Sequence, residues 1–135
     1  MKSSLQAGLT KTRRFDIDEA RTIDFLGEDL RVYGTPMFVR DIEWTCRDFL
    51  LEHAEAGEDS VGIAIEISHG AATPLGMAVD ITVTVTRVEG RQVWFDVEAR
   101  DAIEEIGRGK HGRFMVALDR LRQRVAEKVG AAKEH

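Results

Sequence analysis

An alternation of apolar and polar residues over most of the chain after residue 60 constrains the fold more than any other feature. Apolar side chains at every second position are typical of a β-strand with one buried face. Three segments show this period, namely residues 61–67, 77–85 and 93–99. The link VEGRQ before the third segment indicates a hairpin turn, and IGRGKHGRFMVAL at 106–118 predicts a fourth strand. Four consecutive strands of this kind predict an antiparallel sheet.

A helical period precedes these strands. Apolar residues, joined by one histidine, recur three or four positions apart at Phe38, Val39, Ile42, Cys46, Phe49, Leu50 and His53. Thr35 and Pro36 form a start signal, because a Thr side chain can accept from free amides and Pro fits the first helical position. One long helix followed by four strands predicts an α+β fold in which the sheet packs on the helix. Trp44 and Leu51 lie on the opposite side, so the helix is either wrapped by its sheet or in contact with another chain.

The two ends of the chain complete this arrangement. TKTRRFDID near the amino terminus predicts a strand, and the polar segment that follows it has room for a short helix. Leu118, Leu121, Val125 and Val129 predict a terminal amphipathic helix. No repeat or linker interrupts the 135 residues, so we expect a single domain over residues 1–135.

Composition narrows the classes of function. Asp and Glu number 24 against 19 Lys and Arg, and the basic residues are spread out, so we expect a small ligand and not nucleic acid. The single Cys46 permits no internal disulfide and is expected to be a core residue, and the four histidines lack zinc spacing. We therefore expect no metal and no cofactor. No signal peptide or membrane-spanning run is present, which predicts a cytoplasmic protein without membrane contact.

Two polar residues are aimed at one core from different elements. With 100° per residue, Glu43 lies at the edge of the apolar helix stripe, close to Leu50. Strict period-two counting puts His69 on the same strand face as Val61 and Ile67, the face expected to contact the helix. Each group could then shift the pKa of the other. The alternatives are that Glu43 turns outward to water or an arginine, and that His69 is an ordinary core residue.

Two further features are compatible with catalysis or substrate binding. Thr35 is expected to cap the helix with its side chain. Free amides at residues 37–39 would form a site for a carbonyl oxygen that gains negative charge, which suits acyl transfer. The run GRGKHGR presents Arg108, Lys110, His111 and Arg113 among glycines and could hold the phosphates of a substrate. The alternative for this run is a solvated edge strand.

Three motifs follow one another along the chain: EWTC in the helix, SHGAATPLG at the end of the first long strand, and EIGRGKHGRF in the last strand. Together they resemble the hotdog-fold thioesterases of the fluoroacetyl-CoA thioesterase type, over about residues 32–118. The resemblance implies a long central helix wrapped by a curved antiparallel sheet. It also implies a homodimer with active sites at the subunit boundary, while a tetramer stays possible.

The same resemblance carries a set of catalytic residues onto this chain. The family's Thr, Glu and His correspond to Thr35, Glu43 and His69, and a backbone contribution from a strand glycine corresponds to Gly62. The implied reaction is hydrolysis of an acyl-CoA thioester to the free acid and CoA. Glu43 would attack the carbonyl carbon or orient water, His69 would act as general base, and Thr35 would position the carboxylate or the substrate.

Two other functions compete with hydrolysis. A non-catalytic acyl-CoA-binding hotdog domain would keep the groove and the dimer but would not need the three aligned residues. Hydration of an enoyl-CoA would need a further acid and base pair, for which the sequence shows no convincing spacing. The acyl group, and the choice between CoA and an acyl carrier protein, stay open at this point.

Overall fold

The computed structural model describes residues 1–135 and has two helices and five strands. The helices are α1 (Thr35–Leu51) and α2 (Leu118–Lys133). Two 3₁₀ turns, Glu19–Arg21 and Glu28–Leu30, lie in the connection before α1. The strands are β1 (Thr10–Asp16), β2 (Glu58–His69), β3 (Ala78–Glu89), β4 (Gln92–Arg100) and β5 (Glu105–Ala117).

All five strands belong to one antiparallel sheet, in the order β1-β3-β4-β5-β2. Alternate residues of β3 and β4 are buried and form one layer of the core; they are Val79, Ile81, Val83, Val85, Val93, Phe95, Val97 and Ala99. The apolar stripe of α1 forms the other layer, with Phe38, Ile42, Cys46, Phe49 and Leu50 buried. The predicted α+β class, with a long helix packed against an antiparallel sheet, is confirmed.

The position of β5 differs from one of the expectations. This strand lies between β4 and β2, so GRGKHGR is an interior segment of the sheet and not a solvated edge strand. A Cβ at Gly107 would lie 2.3 Å from the Ser68 carbonyl oxygen, and one at Gly109 would lie 2.0 Å from the Glu66 carbonyl oxygen. The glycines are therefore needed because β2 approaches β5 closely at these positions.

Strand β2 forms one edge of the sheet and contains a β-bulge. Its register with β5 shifts by one residue between Gly62 and Ala64. Ile67 and His69 therefore share the helix-facing side with Gly62 and not with Val61. The predicted direction of His69 toward α1 is confirmed, but the prediction that Val61 lies on the same face is wrong. Counting by strict alternation cannot include the extra residue of a bulge.

Helix α2 follows β5 directly and has no buried residue. Its Val125 and Val129 are about half exposed. Neither α1 nor α2 is both long and apolar enough to cross a membrane.

Candidate active site

Thr35 and His69 meet where the first turn of α1 lies beside the end of β2. The Thr35 Oγ1 atom is 2.8 Å from His69 Nδ1, which is hydrogen-bonding distance. The prediction that the Thr35 side chain caps the helix is wrong: Gly34 occupies the N-cap position and no side chain caps the helix. The Thr35 hydroxyl is instead available to the imidazole.

The His69 ring packs beside two aromatic side chains, which also contact each other. Ring centroids lie 5.0 Å away for Phe38 and 5.9 Å away for Tyr33. The Nε2 atom is enclosed and has no hydrogen-bond partner in the protein. Burial lowers the pKa of His69, since the charged ring loses its hydration there. The ring is therefore neutral near pH 7 and able to accept a proton.

The amino end of α1 presents fewer free amides than expected. The Phe38 amide donates to the Gly34 carbonyl oxygen at 3.0 Å, so the expectation of a free amide at this residue is wrong. The amides of Thr35 and Met37 have no acceptor in the protein. These two groups are close to the Thr35 hydroxyl in sequence and point out of the first turn, where the helix dipole favours negative charge.

Beside this pair lies a cleft of about 500 Å³, here called the amino-terminal cleft. Its lining comes from the segment before α1, the first turn of α1 and the chain after β2. The lining residues are Ile23, Phe25, Val32, Tyr33, Gly34, Thr35, Pro36, His69, Gly70, Ala71 and Ala72.

Glu43 faces a different cavity. A cleft of about 400 Å³, here called the Glu43 cleft, is lined by Glu43, Trp44, Arg47, Asp59, Ser60, Val61, Arg113, Val116, Leu118 and Leu121. Glu43 comes eight residues after Thr35 in the same helix, which places the two Cα atoms roughly 12 Å apart along its axis. A single chain thus brings Thr35 and His69 together but leaves Glu43 away from them.

Arg113 is the cation that contacts Glu43, and it is only 4% exposed. Its Nε atom donates to Ser60 Oγ and its Nη2 atom donates to the Ser60 carbonyl oxygen, both at 2.8 Å. Its Nη1 atom lies 3.5 Å from Glu43 Oε2. The Arg113 guanidinium lines the Glu43 cleft, and its role in binding substrate phosphates stays a prediction.

His111 completes this group, a position beside Arg113 and Glu43 that the sequence analysis did not predict. Its Nδ1 atom lies 2.8 Å from the Ala64 carbonyl oxygen, which only accepts, so Nδ1 carries the proton. The Nε2 atom then accepts from Arg113 Nη1 at 3.2 Å. Burial is the main cause of the lowered pKa of His111, with the Arg113 charge a further one. The only signal in the sequence was its period-two spacing from Arg113.

Gly62 lies beside this group, and the other two predicted basic residues lie apart from it. A Cβ at Gly62 would be 3.1 Å from Glu43 Oε2. Arg108 pairs with Glu105 and Glu98, and Lys110 pairs with Asp96, on the exposed side of the sheet. The structure does not bring Arg108 or Lys110 to either cleft. No group of three or more His, Cys, Asp and Glu side chains is placed to hold a metal ion.

Comparison with known proteins identifies the family. The family model described as fluoroacetyl-CoA-specific thioesterase matches residues 17–119. A fluoroacetyl-CoA thioesterase from Streptantibioticus cattleyicolor is 33% identical over 138 residues, covering 97% of this chain and 99% of the relative.

Solved structures agree with this assignment. A variant of the fluoroacetyl-CoA-specific thioesterase, in complex with fluoroacetate and CoA, superposes with a TM-score of 0.80 at 33% identity, over 87% of this chain and 99% of that one. A thioesterase superfamily member from Thermus thermophilus gives a TM-score of 0.80 at 26% identity, over 93% and 96% of the two chains. The chain therefore belongs to the family of fluoroacetyl-CoA-specific thioesterases, which are thioester hydrolases with the hotdog fold.

Proposed function

We propose that this protein hydrolyses an acyl-CoA thioester at a site shared by two subunits of a homodimer. One subunit supplies Thr35 and His69, and the other supplies Glu43. The observation that carries the proposal is the 2.8 Å contact between the Thr35 hydroxyl and a neutral His69 inside a cleft. A hydroxyl bonded to an imidazole beside free helix amides suits proton transfer and stabilisation of an oxyanion.

Two observations support a second subunit. The exposed edge strand β2 presents Val61, Ile63 and Ile65, which are 39%, 46% and 41% exposed. Such an unpaired apolar edge is a template for pairing with another chain. Antiparallel pairing of two β2 strands about a twofold axis also makes the α1 helices antiparallel. We expect the first turn of one helix to lie near the middle of the other, where Glu43 is found.

The chemistry follows from these positions. The thioester carbonyl oxygen accepts from the free amides of Thr35 and Met37. Glu43 of the partner subunit either attacks the carbonyl carbon, forming an anhydride that water then hydrolyses, or orients water for attack on the thioester itself. In both routes His69 accepts the proton that the water releases. The C–S bond breaks and the thiolate leaves. A thiol has a pKa near about 8.5, so this leaving group needs little help from an acid.

Mixed dimers test the shared site. Glu43→Gln and His69→Ala are each expected to lower kcat/KM by about 10² to 10⁴-fold, the usual contribution of a positioned acid or base. When the two variants are unfolded, mixed in equal amounts and refolded, half of the dimers are mixed and each contains one intact site. Thiol release should then recover to about a quarter of the wild-type rate.

A matched mixture is the control. Thr35→Ala combined with His69→Ala should give no recovery, because both changes fall in the same half of the site. No recovery from Glu43→Gln with His69→Ala would contradict the shared site, and full activity of Glu43→Gln alone would remove Glu43 from it. If calorimetry detects binding of acyl-CoA but no substrate releases thiol, the protein would instead be a non-catalytic acyl-CoA-binding domain. A cytoplasmic location stays a prediction.

A further inference from the structure

The amino-terminal cleft contains no charged side chain among its eleven lining residues. The Glu43 cleft, in contrast, is lined by four charged residues, namely Glu43, Arg47, Asp59 and Arg113. The two cavities beside the proposed catalytic groups therefore differ sharply in polarity. A ligand that enters both must place its apolar part in the amino-terminal cleft, because burial of unpaired polar groups is unfavourable.

The few polar side chains of the amino-terminal cleft are already engaged. Thr35 and His69 contact each other. The Tyr33 hydroxyl donates to Asp41 Oδ2 at 2.5 Å, and Asp41 is itself held by two contacts from Arg21. Apart from the enclosed Nε2 atom of His69, the cleft thus offers no free side-chain partner to the amides of a pantetheine arm or to a carboxylate, but it can accept hydrocarbon.

The surface that hydrocarbon would cover is present and exposed. Phe25 at the rim is 76% exposed, and Ile23, Val32 and Ala72 add further apolar surface. The cleft volume of about 500 Å³ lies within the range of small-molecule sites. An apolar cavity of about 150 Å³ holds benzene. The cleft is therefore much larger than a two-carbon acyl group requires.

We propose that the amino-terminal cleft binds the acyl chain and selects neutral hydrocarbon acyl groups considerably longer than acetyl. This inference rests on the proposed thioester hydrolysis and names its substrate class. The acyl chain enters from the Thr35–His69 pair and covers Phe25 and Ala72, while the carrier leaves in the other direction. Acyl groups that end in a carboxylate are rejected, since the free amides of Thr35 and Met37 hold the thioester oxygen and the cleft has no cation to pair with a second negative group.

A panel of acyl-CoAs tests the selection by thiol release: acetyl, butyryl, hexanoyl and octanoyl, with succinyl and glutaryl as the carboxylated members. We expect kcat/KM to rise roughly fourfold for each methylene that enters the cleft. The kcat/KM values for the carboxylated members should be at least about 100-fold lower than those for neutral acyl groups of equal length. A flat profile, a preference for acetyl or a preference for carboxylated groups would overturn the inference.

A variant that fills the cleft gives the structural control. Ala72 is exposed and lines the cleft. Ala72→Leu should lower kcat/KM for octanoyl-CoA by about tenfold or more and affect acetyl-CoA far less. Leu adds three carbon atoms, and a misfit of one methylene in an apolar pocket already costs about tenfold. Ala132→Leu, the same change at an exposed position of α2, should leave the profile intact. An unchanged profile in Ala72→Leu would also overturn the inference.

Non-hydrolysable thioether analogues of the same acyl-CoAs separate the two proposals. Their Kd values, measured by calorimetry, should fall with chain length in the wild type and lose this trend in Ala72→Leu. If no thioester is cleaved but this trend is found, the catalytic proposal fails and the acyl-binding cleft stands. If thioesters are cleaved and the trend is absent, hydrolysis stands and the cleft assignment fails.

Discussion

Gly62 is the residue that lets Glu43 rest against its cation. A Cβ built there would lie 3.1 Å from Glu43 Oε2 and 3.3 Å from His111 Cε1. Both distances are shorter than ordinary van der Waals contact. Since His111 is fixed by the Ala64 carbonyl oxygen and Arg113, the end of the flexible Glu43 side chain is the group that must move.

Gly62→Ala is therefore expected to lower kcat/KM and to leave the fold intact. A displacement of Glu43 by several tenths of an ångström should lower the rate by at least about tenfold, because a misplacement of about 1 Å can cost 10²-fold. The free energy of unfolding should change by less than about 1 kcal/mol, because the contact that tightens is with a mobile side chain. Steady-state thiol release and urea unfolding measure the two effects.

Gly130→Ala is the matched control. Gly130 lies in α2, and a Cβ there meets no atom within 4 Å. The same added methyl group should leave kcat/KM unchanged and stabilise the helix by about 0.5–1 kcal/mol. Equal activity of Gly62→Ala and the wild type would show that the position of Glu43 does not limit the reaction.

For individual residues, the sequence predicts some side-chain positions and not others. The strand pattern predicted that His69 points toward α1, but it aimed Glu43 at the same place, whereas within one chain His69 contacts Thr35 and Glu43 lines another cleft. The burial of Arg113 was not predictable, because it depends on Ser60 and His111, which accept from its guanidinium after β2 and β5 pair. Local patterns carry no information about such contacts across a sheet.

Among the elements, β2 has some features that the sequence periodicity predicts and others that it does not. Its apolar alternation was visible in the sequence and predicts the strand. Its edge position and its bulge between Gly62 and Ala64 were not visible, because both depend on the register with β5. The bulge leaves Ile63 unpaired in the ladder and 46% exposed. If two β2 strands pair in the homodimer, this side chain lies at the subunit boundary.

Ile63→Lys should therefore dissociate the proposed homodimer. Two lysines would face each other near the twofold axis, and a charge on a strand edge blocks pairing with another edge. Sedimentation velocity should show a monomer, and thiol release should fall with the loss of the shared site. Circular dichroism should stay that of a folded protein, since Ile63 contributes little to the core of one chain.

Ile103→Lys provides the comparison for this change. Ile103 lies in the link between β4 and β5 and is 75% exposed. The same substitution there should leave the molar mass measured by sedimentation and the rate of thiol release unchanged. A dimer that persists in Ile63→Lys would place the subunit boundary away from the β2 edge.

For the whole molecule, the order of the helix and the strands along the sequence predicted the fold class. The relative positions of the candidate active-site residues required the three-dimensional structure. The helix α1 separates Thr35 from Glu43 by eight residues, and the proposed site therefore takes Glu43 from the partner subunit. The single domain over residues 1–135 stays a prediction.

The two buried histidines, His69 and His111, affect the stability of the whole molecule, because burial lowers the pKa of each.

An unfolded histidine binds its proton near about pH 6.5, whereas His69 and His111 do so only at lower pH in the folded protein. Between these values the unfolded chain holds more protons, so the free energy of unfolding rises with pH. Their contribution is complete above about pH 6.5 and is lost as the pH falls. The slope is at most about 1.4 kcal/mol per pH unit for each histidine.

Urea unfolding at one protein concentration and several pH values between about 5.5 and 7.5 measures this slope. Carboxylates with lowered pKa, such as Glu58 at about 2, contribute mainly below this range. His69→Gln should reduce the slope by up to half, because one of the two buried imidazoles no longer titrates. His135→Gln, at the exposed end of the chain, should leave the slope unchanged. If the wild type were equally stable across the range, neither histidine could be held neutral by burial, and His69 would lose the property that makes it a base near pH 7.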